Sequence, residues 1–258
     1  MESSKTSVVE TEHRTIYHEI LDSKLPPVEK DLDRLSKEGI TQVSAGTMTT
    51  SWSISVAVYH TLADPVILRK LRTELQSAIP NLSEPTPLAV LESLPYLRGV
   101  VMECLRLSFG VTNRIPRIAH ENMRYTNKSS GQTLIIPAGT PCSSTSLILH
   151  YDETNFPNSK EFRPERWVGN TRLERYMVSF SKGTRQCVGM NLGSAEIYLA
   201  VAAIFRNYGT KDYKIPGDRG ILELFETDIR DVEPVGDFQV PIPWKGSKGI
   251  RIRVLKAD

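Results

Sequence analysis

The stretch "VVMECLRLS", Val100 to Ser108, constrains the fold more than any other. Read as a helix, it carries Val100, Val101, Met102, Cys104, Leu105 and Leu107 around nearly its whole circumference, and a helix apolar all round is buried. Glu103 and Arg106 stand three apart, so they are neighbours on that helix. On a surface such a pair contributes about 0.2–0.5 kcal/mol. Inside a core both charges must be paired and fully hydrogen-bonded, and removing one costs about 3–5 kcal/mol. A guanidinium has more N–H donors than one carboxylate can take, so the pair implies a further partner. "FRPERW", Phe162 to Trp167, supplies a candidate. Arg166 lies in a segment without a regular ladder and is expected to pin that segment onto the helix as a third member.

Around this helix the pattern is mainly helical. Residues 1–14 are polar and read as a frayed end. Thr15 to Ser23 reads as a short helix stopping before Pro26-Pro27, and a long helix is predicted from about Asp31 to about His60. Asp64-Pro65 reads as a cap followed by proline at the first helical position, and Leu68, Leu71, Leu75 and Ile79 form an apolar stripe that Pro80 ends. Pro95 opens the Glu103 helix. "TLIIPAGTPCSSTSLIL" reads as strand, turn at Pro137 to Gly139, then strand or extended chain. After Cys187 an amphipathic helix is predicted, with Val188, Leu192, Ala195, Leu199 and Ala202 on one apolar face. In the tail "KGSKG" makes a turn, and Ile250, Ile252 and Val254 alternate with Arg251 and Arg253. There is no internal repeat and no linker between domains. The expected fold class is mainly α with small β sheets.

Charge and cysteine usage exclude several functions. A net charge of +2 over 258 residues is too mild for nucleic-acid binding. Three cysteines without a CxxC pair form neither a disulfide framework nor a zinc cluster, which suits a reducing compartment. The longest apolar run, Ile197 to Phe205, is less than half of what a membrane crossing needs, and the first residues hold no apolar signal core. The sequons at Asn81 and Asn127 are read as chance.

Two stretches carry candidate chemistry. "SAGTMTTS", Ser44 to Ser51, lies in the middle of the long helix, where Gly46 costs about 1 kcal/mol relative to alanine. Its serines and threonines compete with the helix for backbone hydrogen bonds. So weak a stretch is either a kink or a place where a ligand approaches the backbone, with threonine hydroxyls able to donate to it. The second is "FSKGTRQCVGMNLG", Phe180 to Gly193. A phosphate-cradling cysteine would need arginine at the position of Gly193, and no GK[ST] follows the glycines. A cysteine just before a helix stands near positive N–H groups that favour thiolate. Gly183 and Gly189 allow a tight backbone and the approach of something flat, and Arg185 suits a carboxylate on it. A thiolate beside a planar, carboxylate-bearing ligand points to haem iron.

With these residues in hand, "FSKGTRQCVG" resembles the haem-ligand signature FxxGxRxCxG of the cytochrome P-450 superfamily. Upstream, in that family's order, stand the ExxR pair (Glu103, Arg106), "PERW" with Arg166, and the distal-helix motif as "AGTMTT". The finer flavour is similar to fungal members that oxidise secondary metabolites or terpenoids. The resemblance implies a partial cytochrome P-450 fold over residues 1–258, the C-terminal haem-binding portion of such a domain. It implies Cys187 as axial thiolate of haem b (iron protoporphyrin IX), with Phe180 packed beside it and Gly183 and Gly189 shaping the loop. It implies Arg185 and Arg117 on the propionates, and Glu103, Arg106 and Arg166 as a structural triad. Ala45, Gly46 and Thr49 would lie over the iron, with Thr49 helping to protonate bound dioxygen. Residues 111 to 116 and Thr227 to Val235 would line the substrate pocket.

The implied activity is a monooxygenase inserting one oxygen atom of dioxygen into an apolar small molecule. An NADPH-dependent flavoprotein reductase would supply electrons by docking near Lys182. Two departures stand out. The family places an acid immediately before the distal threonine, and here that residue is Met48. The resemblance also covers only the C-terminal half of the fold, so the membrane anchor, first sheet and lid are expected to be absent. The parent enzyme would sit on the cytoplasmic face of the endoplasmic reticulum, and the chain as given would be cytoplasmic. The rival readings are an inactive fragment and a reductase-independent haem-thiolate isomerase or peroxygenase.

Overall fold

The computed structural model describes residues 14–256. Its helices are α1 (Ile16–Asp22), α2 (Leu32–Ala63), α3 (Pro65–Ala78), α4 (Leu88–Ser93), α5 (Pro95–Ser108), α6 (Ser146–His150) and α7 (Met190–Asn207). Its strands are β1 (Arg117–Ile118), β2 (Met123–Thr126), β3 (Thr133–Ile136), β4 (Pro141–Cys142), β5 (Tyr208–Gly209), β6 (Gly220–Leu224), β7 (Gly236–Phe238), β8 (Val240–Ile242) and β9 (Ile252–Leu255). The chain divides into two compact units, Met1–Thr47 and Met48–Asp258. Among the described residues no helix is long and apolar enough to cross a membrane. The expected frayed end over residues 1–14 lies, except for Arg14, outside the described residues.

In the first unit no described residue is buried. Local polar contacts hold it: Arg14 pairs with Glu19 and Asp22, and Lys30 donates to the carbonyls of Leu21 and Ser23. α2 begins here, and its helical assignment runs on through Gly46 without a break.

In the second unit the core gathers the end of α2 (Val56, Ala57), the α3 stripe (Leu68, Leu71, Leu75), α5 (Leu97, Val100, Val101, Cys104) and α7 (Ile197, Val201, Phe205). The local signals behind these helices are visible. Asp64 accepts from the N–H groups of Val66 and Ile67, with Pro65 at the first position of α3. Glu74 of α3 accepts from Tyr96 N (2.8 Å) and Leu97 N (2.7 Å), so one helix caps the next. The small sheets are β1–β4, β2–β3, β7–β8 and the three-stranded β5–β6–β9, in which only β5–β6 is parallel.

Three expectations are corrected. Of the face expected for α7 (Val188, Leu192, Ala195, Leu199 and Ala202), only Ala202 is buried. The buried set is Ile197, Tyr198, Val201, Ala202, Phe205 and Arg206, while Leu192 and Leu199 are 65 % and 46 % exposed. Val188 precedes the helix and is fully exposed. Both faces are apolar in sequence, so periodicity could not choose between them, and the large Tyr198 and Phe205 rings take the core. "SLIL" is helical rather than extended, because Thr145 accepts from Leu147 N and starts α6. In the tail Val254 is 60 % exposed, so the alternation there marks a strand on an edge and not a core face.

One buried ion pair ties the helical core to the C-terminal sheet. Arg72 of α3 binds Asp218 through both carboxylate oxygens (2.7 and 2.8 Å) and donates to the carbonyls of Phe205 (2.8 Å) and Tyr208. The two side chains are 0 % and 3 % exposed. Arg72→Met strands the Asp218 carboxylate and is expected to cost about 3–5 kcal/mol in urea unfolding. Lys70→Met, which removes a half-exposed pair with Glu165, is expected to cost under about 1 kcal/mol in the same assay.

Candidate functional site

The site is built outward from α5. Gly99 lets this helix approach the 3-10 turn Pro164–Trp167, since a Cβ there would stand 2.6 Å from the Pro164 carbonyl oxygen. One turn on, Glu103 is wholly buried. Its Oε1 accepts from Arg106 Nη2 (2.7 Å), Arg166 Nε (2.9 Å) and the backbone N–H of Arg163 (2.9 Å). Its Oε2 accepts from Arg106 Nε (2.9 Å) and Trp167 Nε1 (2.8 Å). Arg106 places its other donors on the carbonyls of His150 (2.9 Å), Ser159 (2.6 Å) and Glu161 (3.1 Å). Arg166 adds the carbonyls of Pro157 and Asn158. The structure thus brings Glu103, Arg106 and Arg166 together. A buried ion cluster with its donors and acceptors filled is the arrangement the interior tolerates.

Sequence reasoning missed the links from this cluster to the cysteine loop. His150 Nε2 accepts from the backbone N–H of Val178 (3.0 Å), so its proton sits on Nδ1, which faces the Arg106 carbonyl at 2.8 Å. Burial holds the imidazole neutral and brings its pKa down to about 4. Ser179 Oγ donates to the Leu105 carbonyl (2.7 Å), and a Cβ on Gly110 (φ +63°) would stand 2.5 Å from the Ser179 carbonyl oxygen. The signals were present but bland. A Trp after Arg166 needs an acceptor once buried, and His150 was a lone histidine behind an apolar run.

From Val178 the loop turns through Ser181 (φ 61°) and Gly183 (φ 78°), and the Cys187 amide donates to the Phe180 carbonyl (2.8 Å). Gly183 therefore needs its glycine. Gly189 does not adopt a left-handed conformation (φ −85°), and a Cβ there would stand 3.8 Å from the Cys187 sulfur, at ordinary contact. Cys187 itself lies three residues ahead of α7, not on its first turn, and is exposed.

A cavity of about 460 Å³ opens beside this loop. Cys187, Arg185, Phe180, Arg117 and Thr49 all line it, as does Lys182. Val111, Asn113 and Ile115, from the segment 111 to 116, form part of its wall. Thr227 to Val235 do not line it. That segment folds on the tail instead: Thr227 Oγ1 bonds the carbonyls of Phe225 and Arg251, and Asp231 accepts from Ser247 Oγ and Trp244 Nε1. The β7–β8 hairpin is what reaches this region, through the Gln239 carbonyl on Thr112 N (3.1 Å). Ala45 and Gly46 belong to the first unit, where a Cβ on Gly46 would meet open space.

The donor set decides what could bind. Among the described residues no group of three His, Cys, Asp or Glu side chains could hold a bare metal ion. A metal carried in its own ring of donors needs one axial ligand, and a ring with carboxylates needs cations. Cys187 supplies the first. Arg117 and Arg185, neither paired with a carboxylate among the described residues, supply the second. These residues fit haem.

Comparisons with known proteins agree with that chemistry. The family model described as cytochrome P-450 matches residues 1–221. The chain is 53 % identical, over 96 % of its length, to the cytochrome P-450 monooxygenase astB of Talaromyces wortmannii, of which it covers 51 %. It is 50 % identical, over 93 % of its length, to the monooxygenase tpcC of Cochliobolus heterostrophus, of which it covers 46 %. The chain therefore spans about half the length of these relatives. The crystal structure of a cytochrome P-450 superposes with a TM-score of 0.68 at 20 % identity, over 98 % of this chain and 52 % of that one.

Two outcomes follow from this geometry. The folded His150 pKa lies below its unfolded value of 6.5, so between pH 6.5 and 4 the unfolded chain binds the extra proton. Its contribution to stability is complete above pH 6.5 and falls by up to about 1.4 kcal/mol per pH unit towards pH 4. Urea midpoints of the wild type and His150→Gln should therefore converge as pH drops through that window. Gly99→Ala, which drives a methyl into the Pro164 carbonyl, is expected to lower the unfolding free energy at pH 7 by about 1–3 kcal/mol in urea titration.

Proposed function

The chain belongs to the cytochrome P-450 family, and on that premise we propose that residues 1–258 form the C-terminal, haem-binding portion of such a domain. The whole protein would insert one oxygen atom of dioxygen into an apolar small molecule of secondary metabolism, such as a terpenoid. The observation that carries the reading is that Cys187, Arg185, Arg117 and Thr49 line one cavity.

In this reading Cys187 would ligate the iron of haem b, and Arg185 and Arg117 would hold its propionates. Haem held there by the Cys187 thiolate would supply dioxygen activation. The chain's own residues set the conditions. Glu103, Arg106 and Arg166 immobilise the segment that leads into the loop, and Phe180 packs beside the sulfur. Thr49 holds a proton at its hydroxyl on the cavity wall, and Ala45 and Gly46 keep side chains small on the turn before it. An apolar substrate is supported by where three of the wall's hydroxyl protons go. Thr145 Oγ1 donates to the Thr112 carbonyl (2.7 Å), Ser146 Oγ to that of Val111 (3.2 Å) and Ser179 Oγ to that of Leu105. Exposed Lys182 at the mouth supports docking of an NADPH-dependent flavoprotein reductase, and the whole protein would work on the cytoplasmic face of the endoplasmic reticulum.

Met48 favours a second reading. Its thioether cannot carry a proton and it is 54 % exposed, which suits peroxide leakage or a reductase-independent isomerase or peroxygenase.

Titration with hemin tests the first reading. The wild-type chain is expected to take it up stoichiometrically and to give the thiolate type of carbon-monoxide spectrum, which Cys187→Ala abolishes. An unchanged spectrum in that variant sinks the assignment. In the full-length enzyme, Met48→Asp is expected to raise product formed per NADPH oxidised. No change there would make the missing acid irrelevant.

A further inference from the structure

Ser53 of α2 and Ser108 at the end of α5 have no role in the reading above, yet both line the cavity and are only 4 % and 1 % exposed. Their Oγ atoms lie 2.8 Å apart. Ser53 Oγ also reaches the Thr49 carbonyl at 3.1 Å, and Ser108 Oγ reaches that of Leu105 at 3.3 Å. The Leu105 carbonyl already accepts from Ser179 Oγ at 2.7 Å. Each serine has one proton to give. If Ser53 donated to Ser108, the Ser108 proton would go to Leu105, over the longest contact and onto a carbonyl already taken. If Ser108 donates to Ser53, the Ser53 proton goes to Thr49 and the shorter contacts are used. The second arrangement is favoured, and bonds in series polarise one another. It also meets a local need. Thr49, Thr50, Ser51 and Ser53 make this turn of α2 a poor helix by propensity, and Ser51 Oγ already bonds back to the Met48 carbonyl.

Resting on the reading of Cys187 and Thr49 as two sides of the cofactor site, we propose that Ser53 and Ser108 are positioning residues. They hold the Thr49–Ser53 turn against α5. Because Leu105 of α5 also holds Ser179, they set the gap between that turn and the cysteine loop. They act through the Thr49 turn, whose carbonyl Ser53 holds.

Hydrogen exchange read by mass spectrometry on the unloaded chain tests the tie without haem. Ser108→Ala should speed exchange in the peptide covering Met48 to Ser53 about fivefold, the loss of one hydrogen bond, with no change in α3. Ser53→Ala should match it, the double variant should go no further, and Ser53→Thr should keep the protection. With hemin bound, the dissociation constant of imidazole should shift about three- to tenfold in either alanine variant, and no more in the double. Unchanged exchange at the turn, a rise spread evenly over the core, or additive effects in the double would overturn the proposal. So would normal imidazole affinity beside faster exchange. A wild-type chain that takes up no hemin would remove the cofactor reading, while the exchange measurement would still decide the tie.

Discussion

Glu103 is the charge on which this structure depends. A carboxylate with no exposure survives in a core only because N–H donors surround it, and here they come from Arg106, Arg166, Trp167 and the backbone of Arg163. The arrangement also settles an entropic problem. Residues 151–167 contain only a short 3-10 turn, so no ladder fixes them. Two guanidinia do so by collecting the carbonyls of Pro157, Asn158, Ser159 and Glu161. An apolar side chain of equal volume could fill the same space but could not satisfy those carbonyls.

From there the order passes to the cysteine loop through neutral groups. His150 bridges the Arg106 carbonyl and the Val178 amide, Ser179 bonds the next carbonyl back along α5, and Gly110 brings the two backbones into contact. Each link joins α5 to the residues just before Phe180. The Phe180 carbonyl then receives the Cys187 amide. The position of the sulfur is thus traceable, bond by bond, to a carboxylate it never touches.

How much of this was legible depends on whether a residue carried its own constraint. Glu103 and Arg106 did, because charges on an all-apolar helix must be paired inside. Asp64 and Pro65 did, through capping chemistry, and so did the Leu68–Leu71–Leu75 stripe. The face of α7 did not, since Leu192 and Leu199 are as apolar as Ile197 and Val201. α4 was too short for any period to register. Trp167, His150 and Gly99 look ordinary in sequence, and their roles come from partners 28 or more residues away. The role given to Thr227 to Val235 failed for a related reason. Asp231 and Thr227 find their acceptors and donors within the tail, which no spacing rule announces.

The cavity shows how a polar sequence can make an apolar wall. Ser53, Ser108, Thr145, Ser146 and Ser179 all line it, a set that in isolation suggests a site for sugars or phosphates. A hydroxyl has one proton, and where that proton goes decides what the surface offers. Thr145, Ser146 and Ser179 send theirs to the carbonyls of Thr112, Val111 and Leu105, while Ser108 donates across to Ser53 and Ser53 to the Thr49 carbonyl. None of these bonds points at a ligand. The cations on this wall are Arg117, Lys182 and Arg185, and its thiol is Cys187. These five hydroxyls therefore tie neighbouring segments together, and in the proposed reading the recognition of a flat, carboxylate-bearing group would fall to Cys187, Arg117 and Arg185.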